Sequence, residues 1–177
     1  MAAIASLPLS QIVQPWLDQL TEQIGQSCSV AILDGSEIVY IARAAQKRVM
    51  SIGLMPGSRL PAHCTSLGRV LLAALPYDEA RAIVEASDLS PRTRFSVSDP
   101  DEIMVRIDQV REGGFATIDQ EVELGLRSIA VPLADVHGKV IAALNTGMAA
   151  THEDTNQLVD TYLHWLLNVQ AGLRRVL

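Results

Sequence analysis

Two segments rich in β-branched residues are joined by the dipeptide Asp34-Gly35, and this arrangement constrains the fold more than any other feature of the chain. Asp-Gly between two apolar runs is a strong signal for a tight β-hairpin. The runs 28–33 and 37–43 are therefore predicted to be neighbouring antiparallel strands.

The remaining segments continue this pattern. Apolar residues spaced three and four apart predict helices over 9–24, 65–75, 77–86, from Pro100 to Gly113, and from Thr151, with Asp154 in its capping box, to the end of the chain. Further strands are predicted over 48–54, 115–119, 128–134 and 139–146. The order is helix, three strands, three helices, three strands and a closing helix, without the strand–helix–strand alternation of a doubly wound parallel sheet. We expect an α/β fold of the α+β kind, with a largely antiparallel six-stranded sheet flanked by helices, and the first and last helices paired on one face.

The composition fits a single intracellular domain. The chain has 177 residues, of which 49% are hydrophobic and 19% charged, so one domain over 1–177 is expected and disorder is not. The net charge of −6 argues against direct binding of nucleic acid, which requires a clustered basic surface. No apolar run approaches the length of a membrane span. Cys28 and Cys64 form no disulfide framework, so a cytoplasmic location is expected.

The segment 60–73 predicts a loop that turns into a helix at a cluster of small hydroxyl and thiol residues. Backbone N–H groups at a helix start are unpaired, and the helix dipole adds partial positive charge there. Such a start suits a carboxylate or a phosphate.

Catalytic and metal-binding interpretations of the same region are weaker. His63 and Cys64 could be a base and a nucleophile, but adjacent side chains rarely face each other, and a thiolate needs an activating partner. The alternating acids Asp119, Glu121 and Glu123 could form a carboxylate pair, although a solvated edge is the more ordinary interpretation. The four histidines have no metal-like spacing, so neither a metal nor another cofactor is expected.

A pocket of mixed apolar and polar side chains is the interpretation that remains, and such a lining suits a small polar ligand. Its predicted residues come from the third strand, the helix start, the segments around the second glycine-containing loop and the end of the last strand: Val49, Met50, Ile52, Leu60, His63, Cys64, Thr65, Ser66, Leu67, Ile118, Asp119, Leu126, Ser128, Asn145 and Thr146. The alternative is that these hydroxyl groups only satisfy the backbone at helix and strand ends.

Three segments resemble the effector-binding domain of IclR-type transcriptional regulators: LPAHCTSLGR at 60–69, VREGGFA at 110–116 with DQE and GLRSIAVP up to 132, and GKVIAALN at 138–145. Their order and spacing cover essentially the whole chain. The resemblance implies a GAF-like fold and an effector pocket at the positions named above. It also implies a homo-oligomer, a dimer or a tetramer, and DNA binding only through an N-terminal winged helix-turn-helix that this chain does not contain.

Departures from the family pattern bear on the ligand. The family often has cysteine where Ser128 stands, serine where Asn145 stands and an acid where Ile118 stands, and the more apolar Ile118 favours an aromatic or longer aliphatic acid. The segment 65–73 looks most like the branch that controls breakdown of aromatic acids, the protocatechuate, 4-hydroxybenzoate and β-ketoadipate regulators. The expected effector is a small organic acid, aromatic or dicarboxylic, and its carboxylate is expected at the helix start or against Arg43 or Arg48. The alternatives are a redox sensor or cysteine-dependent enzyme using Cys64, and an interaction module without a ligand.

Overall fold

The computed structural model describes residues 7–45, 54–151 and 154–177. In these ranges the order of elements is α1 (Leu9–Ile24), β1 (Ser27–Asp34), β2 (Glu37–Ala44), β3 (Arg59–Pro61), α2 (Ser66–Ala73), α3 (Tyr77–Glu85), α4 (Pro100–Gly113), β4 (Ala116–Asp119), β5 (Leu126–Ala134), β6 (Val140–Ala149) and α5 (Thr155–Arg174). The predicted order of helices and strands is confirmed.

The strands form one six-stranded sheet in the order β3-β2-β1-β6-β5-β4, and every neighbouring pair is antiparallel. The first hairpin turns at Asp34-Gly35, as its sequence predicts, and Gly35 has a φ of 62°. Strands β1 and β6 are central although they are far apart in sequence. The expected largely antiparallel sheet is confirmed.

The third strand predicted over 48–54 lies almost wholly outside the described ranges, so its position stays a prediction. Leu54 lies outside any strand, residues 48–53 lie outside the described ranges, and the strand that pairs with β2 is Arg59–Pro61. The turn before Arg59–Pro61 is also hydrogen-bonded to β2. The Gly57 N–H donates to the carbonyl of Tyr40 at 2.7 Å, and the Tyr40 N–H donates to the carbonyl of Ser58 at 3.0 Å.

The closing helix begins later than predicted. Asp154 is the N-cap residue itself, since its side chain accepts a hydrogen bond from the backbone N–H of Gln157 at 3.3 Å. The first helical residue is Thr155, four residues beyond the predicted start at Thr151. An Asp that caps a helix and an acid in its first turn give the same local pattern.

Two apolar layers cover the sheet. On one face α1 and α5 pack together, with Val13, Leu17 and Leu166 fully buried, as the predicted pairing of first and last helices requires. On the other face lies α2, all eight residues of which are buried beneath α3 and α4. The polar start of α2 is consequently held against the sheet, and the candidate site lies there.

Candidate functional site

A cavity lies between the start of α2 and the face of the sheet on which α2 packs. Its lining combines aliphatic, hydroxyl and amide side chains with one tyrosine and one arginine: Ser27, Tyr40, Arg43, Leu54, Leu60, Thr65, Ser66, Ile118, Val122, Leu126, Ser128, Asn145 and Gly147.

Small residues in the centre of the sheet leave the space that the cavity occupies. Ser27, Gly147, Ser128 and Ile118 lie side by side on β1, β6, β5 and β4 in one row across the sheet. Among the described residues, a Cβ atom added to Gly147 would come within 4 Å only of the carbonyl oxygen of Arg127, at 3.8 Å. The space above Gly147 is therefore part of the cavity, and no side chain of the described residues fills it.

The helix start is built by the residues that the sequence singles out. Thr65 caps α2 by accepting from the Gly68 N–H at 3.1 Å, and its hydroxyl donates to the carbonyl of Pro61 at 3.0 Å. The next residue, Ser66, accepts a hydrogen bond of 2.8 Å from the hydroxyl of Ser128 on β5. This bond joins the helix to the sheet at the cavity wall.

A close crossing of the chain explains the glycine of this motif. A Cβ atom at Gly68 would lie 2.1 Å from the carbonyl oxygen of Ala62 and 2.3 Å from its Cα. The loop before α2 therefore passes directly over the helix, and only glycine permits that contact.

Arg43 is the one charged residue among the described residues that line the cavity. Its guanidinium donates to the hydroxyl of Ser29 at 3.0 Å, and no carboxylate in the described ranges pairs with it. Burial lowers its pKa from the ordinary value of 12.5, but the group remains a cation at neutral pH. Burial also raises the pKa of Tyr40 to about 12, so the phenol stays protonated. The cavity therefore offers positive charge and hydroxyl groups to a ligand.

His63 and Cys64 belong to the same loop but do not line the cavity, and both are buried. Burial, with the nearby cations Arg69 and Arg92, lowers the pKa of His63 below 6.5. Burial raises the pKa of Cys64 to about 11, which leaves about one thiolate in ten thousand at neutral pH. Leu67 points into the apolar core under α3 and α4.

Asp119 and Thr146 each follow a cavity residue and lie on the opposite side of their strand. Asp119 accepts a hydrogen bond of 2.7 Å from Arg127 Nε. The hydroxyl of Thr146 donates to the carbonyl of Ser27 at 2.9 Å and is fully buried. Ile118 and Asn145 line the cavity, whereas Asp119 and Thr146 do not.

The expectation of a solvated acidic edge after β4 is wrong for Glu121. Its carboxylate forms a two-point ion pair with Arg69, and the two side chains are 7% and 3% exposed. Asp119 is bound to a different arginine, Arg127. The two acids thus hold separate cations and do not face each other as a catalytic pair.

The structure brings seven of the predicted site residues together around the cavity: Leu60, Thr65, Ser66, Ile118, Leu126, Ser128 and Asn145. Val49, Met50 and Ile52 lie outside the described residues. The others, His63, Cys64, Leu67, Asp119 and Thr146, are placed nearby but outside the lining. Whether these residues contact a ligand stays a prediction.

The lining also contains residues that the sequence interpretation missed: Ser27, Tyr40, Leu54, Val122 and Gly147. Strand alternation could have supplied Gly147, two residues beyond Asn145 on β6, since side chains two apart share a face. No comparable signal marks Val122, which lies in the loop between β4 and β5.

The described residues were also compared with the requirements of a metal site and of a membrane-spanning helix. In residues 7–45, 54–151 and 154–177, no three His, Cys, Asp or Glu side chains come together as a metal site would require. None of the helices there is both long and apolar enough to cross a membrane.

Comparison with known proteins gives a consistent result. The family described as "Bacterial transcriptional regulator IclR C-terminal" matches residues 1–169. The Pca regulon regulatory protein of Pseudomonas putida is 42% identical over 173 residues, which cover 97% of this chain and 60% of that protein. The p-hydroxybenzoate hydroxylase transcriptional activator of Acinetobacter baylyi is 33% identical over 178 residues, covering 98% of this chain and 66% of that protein. The chain thus spans less than two thirds of the length of either relative.

A solved structure supports the same similarity at the level of the fold. It is a complex of a double mutant of the PobR inducer-binding domain from Acinetobacter with 3-hydroxybenzoic acid. The two chains superpose with a TM-score of 0.89 at 32% identity, over 97% of this chain and all of the other.

Proposed function

Since the chain belongs to the IclR family of bacterial transcriptional regulators, and matches their C-terminal domain, we propose that its cavity binds a small aromatic carboxylic acid as the effector of such a regulator. One observation carries the choice of ligand. Arg43 is the only charged group in the described lining, it lacks a carboxylate partner there, and a carboxylate on the ligand would supply one.

The rest of the lining fits the body of such a ligand. Leu54, Leu60, Ile118, Val122 and Leu126 provide an apolar surface for a ring, and Ser66, Ser128 and Asn145 provide groups for a ring hydroxyl. The Acinetobacter domain in the solved complex holds a hydroxybenzoic acid, and its similarity to this chain supports the same ligand class here.

In the proposed regulatory role, the ligand changes the relative populations of two subunit arrangements. A ligand that binds one arrangement of subunits more tightly than another shifts the equilibrium between them. We infer that the domain acts in this way as a dimer or tetramer, and that DNA is bound by an N-terminal domain outside this chain. In the relatives, the portion not covered by this chain has room for such a domain.

A reactive-cysteine function is the second candidate, and the surroundings of Cys64 oppose it. The thiol is 2% exposed and its pKa is raised to about 11, whereas redox and catalytic cysteines have lowered pKa values and are accessible. Arg92 and Arg69 lie near enough to lower this pKa, but burial outweighs both of them. The Pseudomonas putida and Acinetobacter baylyi relatives are themselves a regulatory protein and a transcriptional activator.

Isothermal titration calorimetry with three matched pairs of ligands, each an acid and its amide, tests the proposal. The panel is 4-hydroxybenzoate, 3-hydroxybenzoate and protocatechuate, each beside its uncharged carboxamide. We expect at least one acid to bind, and its amide to bind at least tenfold more weakly, because the amide cannot pair with Arg43 as an anion. Equal binding of acid and amide would contradict the role of Arg43, and no binding by any member would contradict the ligand class.

A further inference from the structure

The ion pair between Arg69 and Glu121 is the most deeply buried pair of charges in the described part of the chain. Arg69 Nη1 and Nη2 lie 3.0 Å and 2.7 Å from the two carboxylate oxygens of Glu121, a two-point contact. The third nitrogen, Nε, donates to the backbone carbonyl of His63 at 2.9 Å. Arg69 therefore fixes both the loop before α2 and the loop after β4.

Each partner of this pair adjoins the cavity without lining it. Arg69 lies one turn along α2 from Ser66, and Glu121 directly precedes Val122. Ser66 and Val122 both line the cavity, whereas Arg69 and Glu121 do not. The ion pair is thus connected to the cavity wall through Ser66 and Val122.

The loop that carries Val122 adopts a conformation that needs support. Gln120 has a φ of 63°, in the left-handed region that residues other than glycine seldom adopt. Two hydroxyl groups of the loop between α3 and α4 hold the segment, with Thr93 donating to the carbonyl of Gln120 at 2.6 Å and Ser96 to that of Glu121 at 2.8 Å. Of these three contacts to the loop, the Arg69–Glu121 ion pair is the charged one, and it connects the loop to α2.

We propose that Arg69 and Glu121 are positioning residues for the effector cavity, holding Val122 at the distance from Ser66 that a ring-sized ligand requires. This inference rests on the proposed function. A buried ion pair adds little net stability compared with apolar side chains of the same size, because both charges lose their hydration. Its particular property is geometric, since the planar guanidinium fixes both the distance and the orientation of the carboxylate.

A double-mutant cycle on the affinity for 4-hydroxybenzoate tests the proposal. We expect Glu121→Gln to weaken binding at least tenfold at a temperature where circular dichroism shows a folded protein. Val122→Ala should weaken it as well, and the double variant should bind no more weakly than the weaker single variant. Independent, additive losses would overturn the proposal, because Glu121 would then not act through Val122.

Leu166→Ala is the control for a loss of stability alone. It creates a cavity in the core between α1, α5 and the sheet, on the face away from the effector cavity. It should lower the melting temperature and change the affinity less than twofold. If Leu166→Ala weakens binding as much as Glu121→Gln does, the effect of Glu121 is general destabilisation and the proposal fails.

Hydrogen exchange of the ligand-free protein separates this inference from the proposed function. The amides of Gln120, Gly125 and Leu126 are hydrogen-bonded within the loop. Glu121→Gln should accelerate their exchange at least tenfold more than Leu166→Ala does, whether or not any acid binds. If Glu121→Gln does not fold, Ser96→Ala removes the neighbouring support and should give the same pattern. Unchanged loop exchange in the folded variant would overturn the inference even if 4-hydroxybenzoate binds the wild-type protein.

Discussion

Tyr40 and Arg43 are three residues apart on β2 and yet line the same cavity, because Ile41 is an extra residue between them in the pairing with β1. Ala42 is opposite Val30 and Tyr40 is opposite Ala31, so β2 advances two residues where β1 advances one. Such a β-bulge reverses which side chains face each side of the sheet. Without it, Arg43 would point toward α1, and the described lining of the cavity would contain no charged residue.

Arg43→Gln should remove the affinity for carboxylates while leaving the protein folded. A hydrogen bond to a charged group contributes about 1.5–3 kcal/mol, so the dissociation constant for the tightest-binding acid should rise roughly 10- to 100-fold. Because no carboxylate in the described ranges depends on Arg43, unfolding in urea should change by no more than about 1 kcal/mol.

Arg59→Gln is the matched control for Arg43→Gln. It removes the same charge from the exposed edge strand β3, where Arg59 pairs with Asp34 at 2.5 Å and with Glu37 at 3.3 Å. Its effect on ligand affinity should be less than twofold. A comparable loss in both variants would mean that overall charge, and not contact with Arg43, governs binding.

Gly147→Val should fill the cavity without destabilising the sheet. The Cβ of the added side chain lies no closer than 3.8 Å to any atom of the described residues, and a β-branched residue suits a strand better than glycine does. We expect an unchanged or higher melting temperature and at least tenfold weaker binding, with Gly147→Ala between this variant and the wild type. Wild-type affinity in Gly147→Val would place the ligand elsewhere.

Strand alternation explains why two of the predicted site residues, Asp119 and Thr146, lie outside the cavity. Asn145 and Thr146 are consecutive on β6, and Ile118 and Asp119 on β4, so the members of each pair face opposite sides. Both members were predicted as lining, although alternation allows only one of each pair. The structure places Asn145 and Ile118 at the cavity.

The bulge at Ile41 could not be predicted from the sequence. Nothing in the sequence 37–44 distinguishes a regular strand from a bulged one, because the extra residue is defined only by its partner strand. The sequence does predict the start of α2, because Thr65 caps the helix and Gly68 permits the close contact with Ala62, both within a few residues. Local signals thus predict the helix start, and only the pairing of distant strands determines what faces it.

Gly68→Ala should be strongly destabilising, in contrast to Gly113→Ala. The added Cβ would lie 2.1 Å from the carbonyl oxygen of Ala62, so the loop or α2 must move. At Gly113, in the last turn of α4, the nearest atom is 3.7 Å away on Phe115. There alanine should be neutral or stabilise by up to about 1 kcal/mol.

Urea unfolding monitored by circular dichroism measures both glycine variants. We expect a loss of at least about 2 kcal/mol for Gly68→Ala, comparable with other severe steric changes in a core. Similar stabilities for the two variants would show that the loop before α2 yields easily, and that the close crossing does not fix the helix start.

The stability of the protein should fall as the pH rises above about 9, and Cys64 should account for part of that fall. Burial raises the pKa of its thiol from 9.0 to about 11. Between these values the unfolded chain loses this proton and the folded protein keeps it, so the stability present below pH 9 decreases toward pH 11. The contribution amounts to about 2–3 kcal/mol.

Cys64→Ala isolates this contribution, since it leaves the other alkaline groups, including Cys28 and Tyr40, in place. Between pH 8 and pH 11 the free energy of unfolding, measured in urea under reducing conditions, should fall more steeply in the wild type than in the variant. The opposite sign, with the wild type gaining stability over Cys64→Ala as the pH rises, would mean that the fold stabilises a thiolate. A stabilised thiolate is what the redox or catalytic alternative requires, so the sign of this difference discriminates between a packed thiol beside an effector cavity and a reactive cysteine.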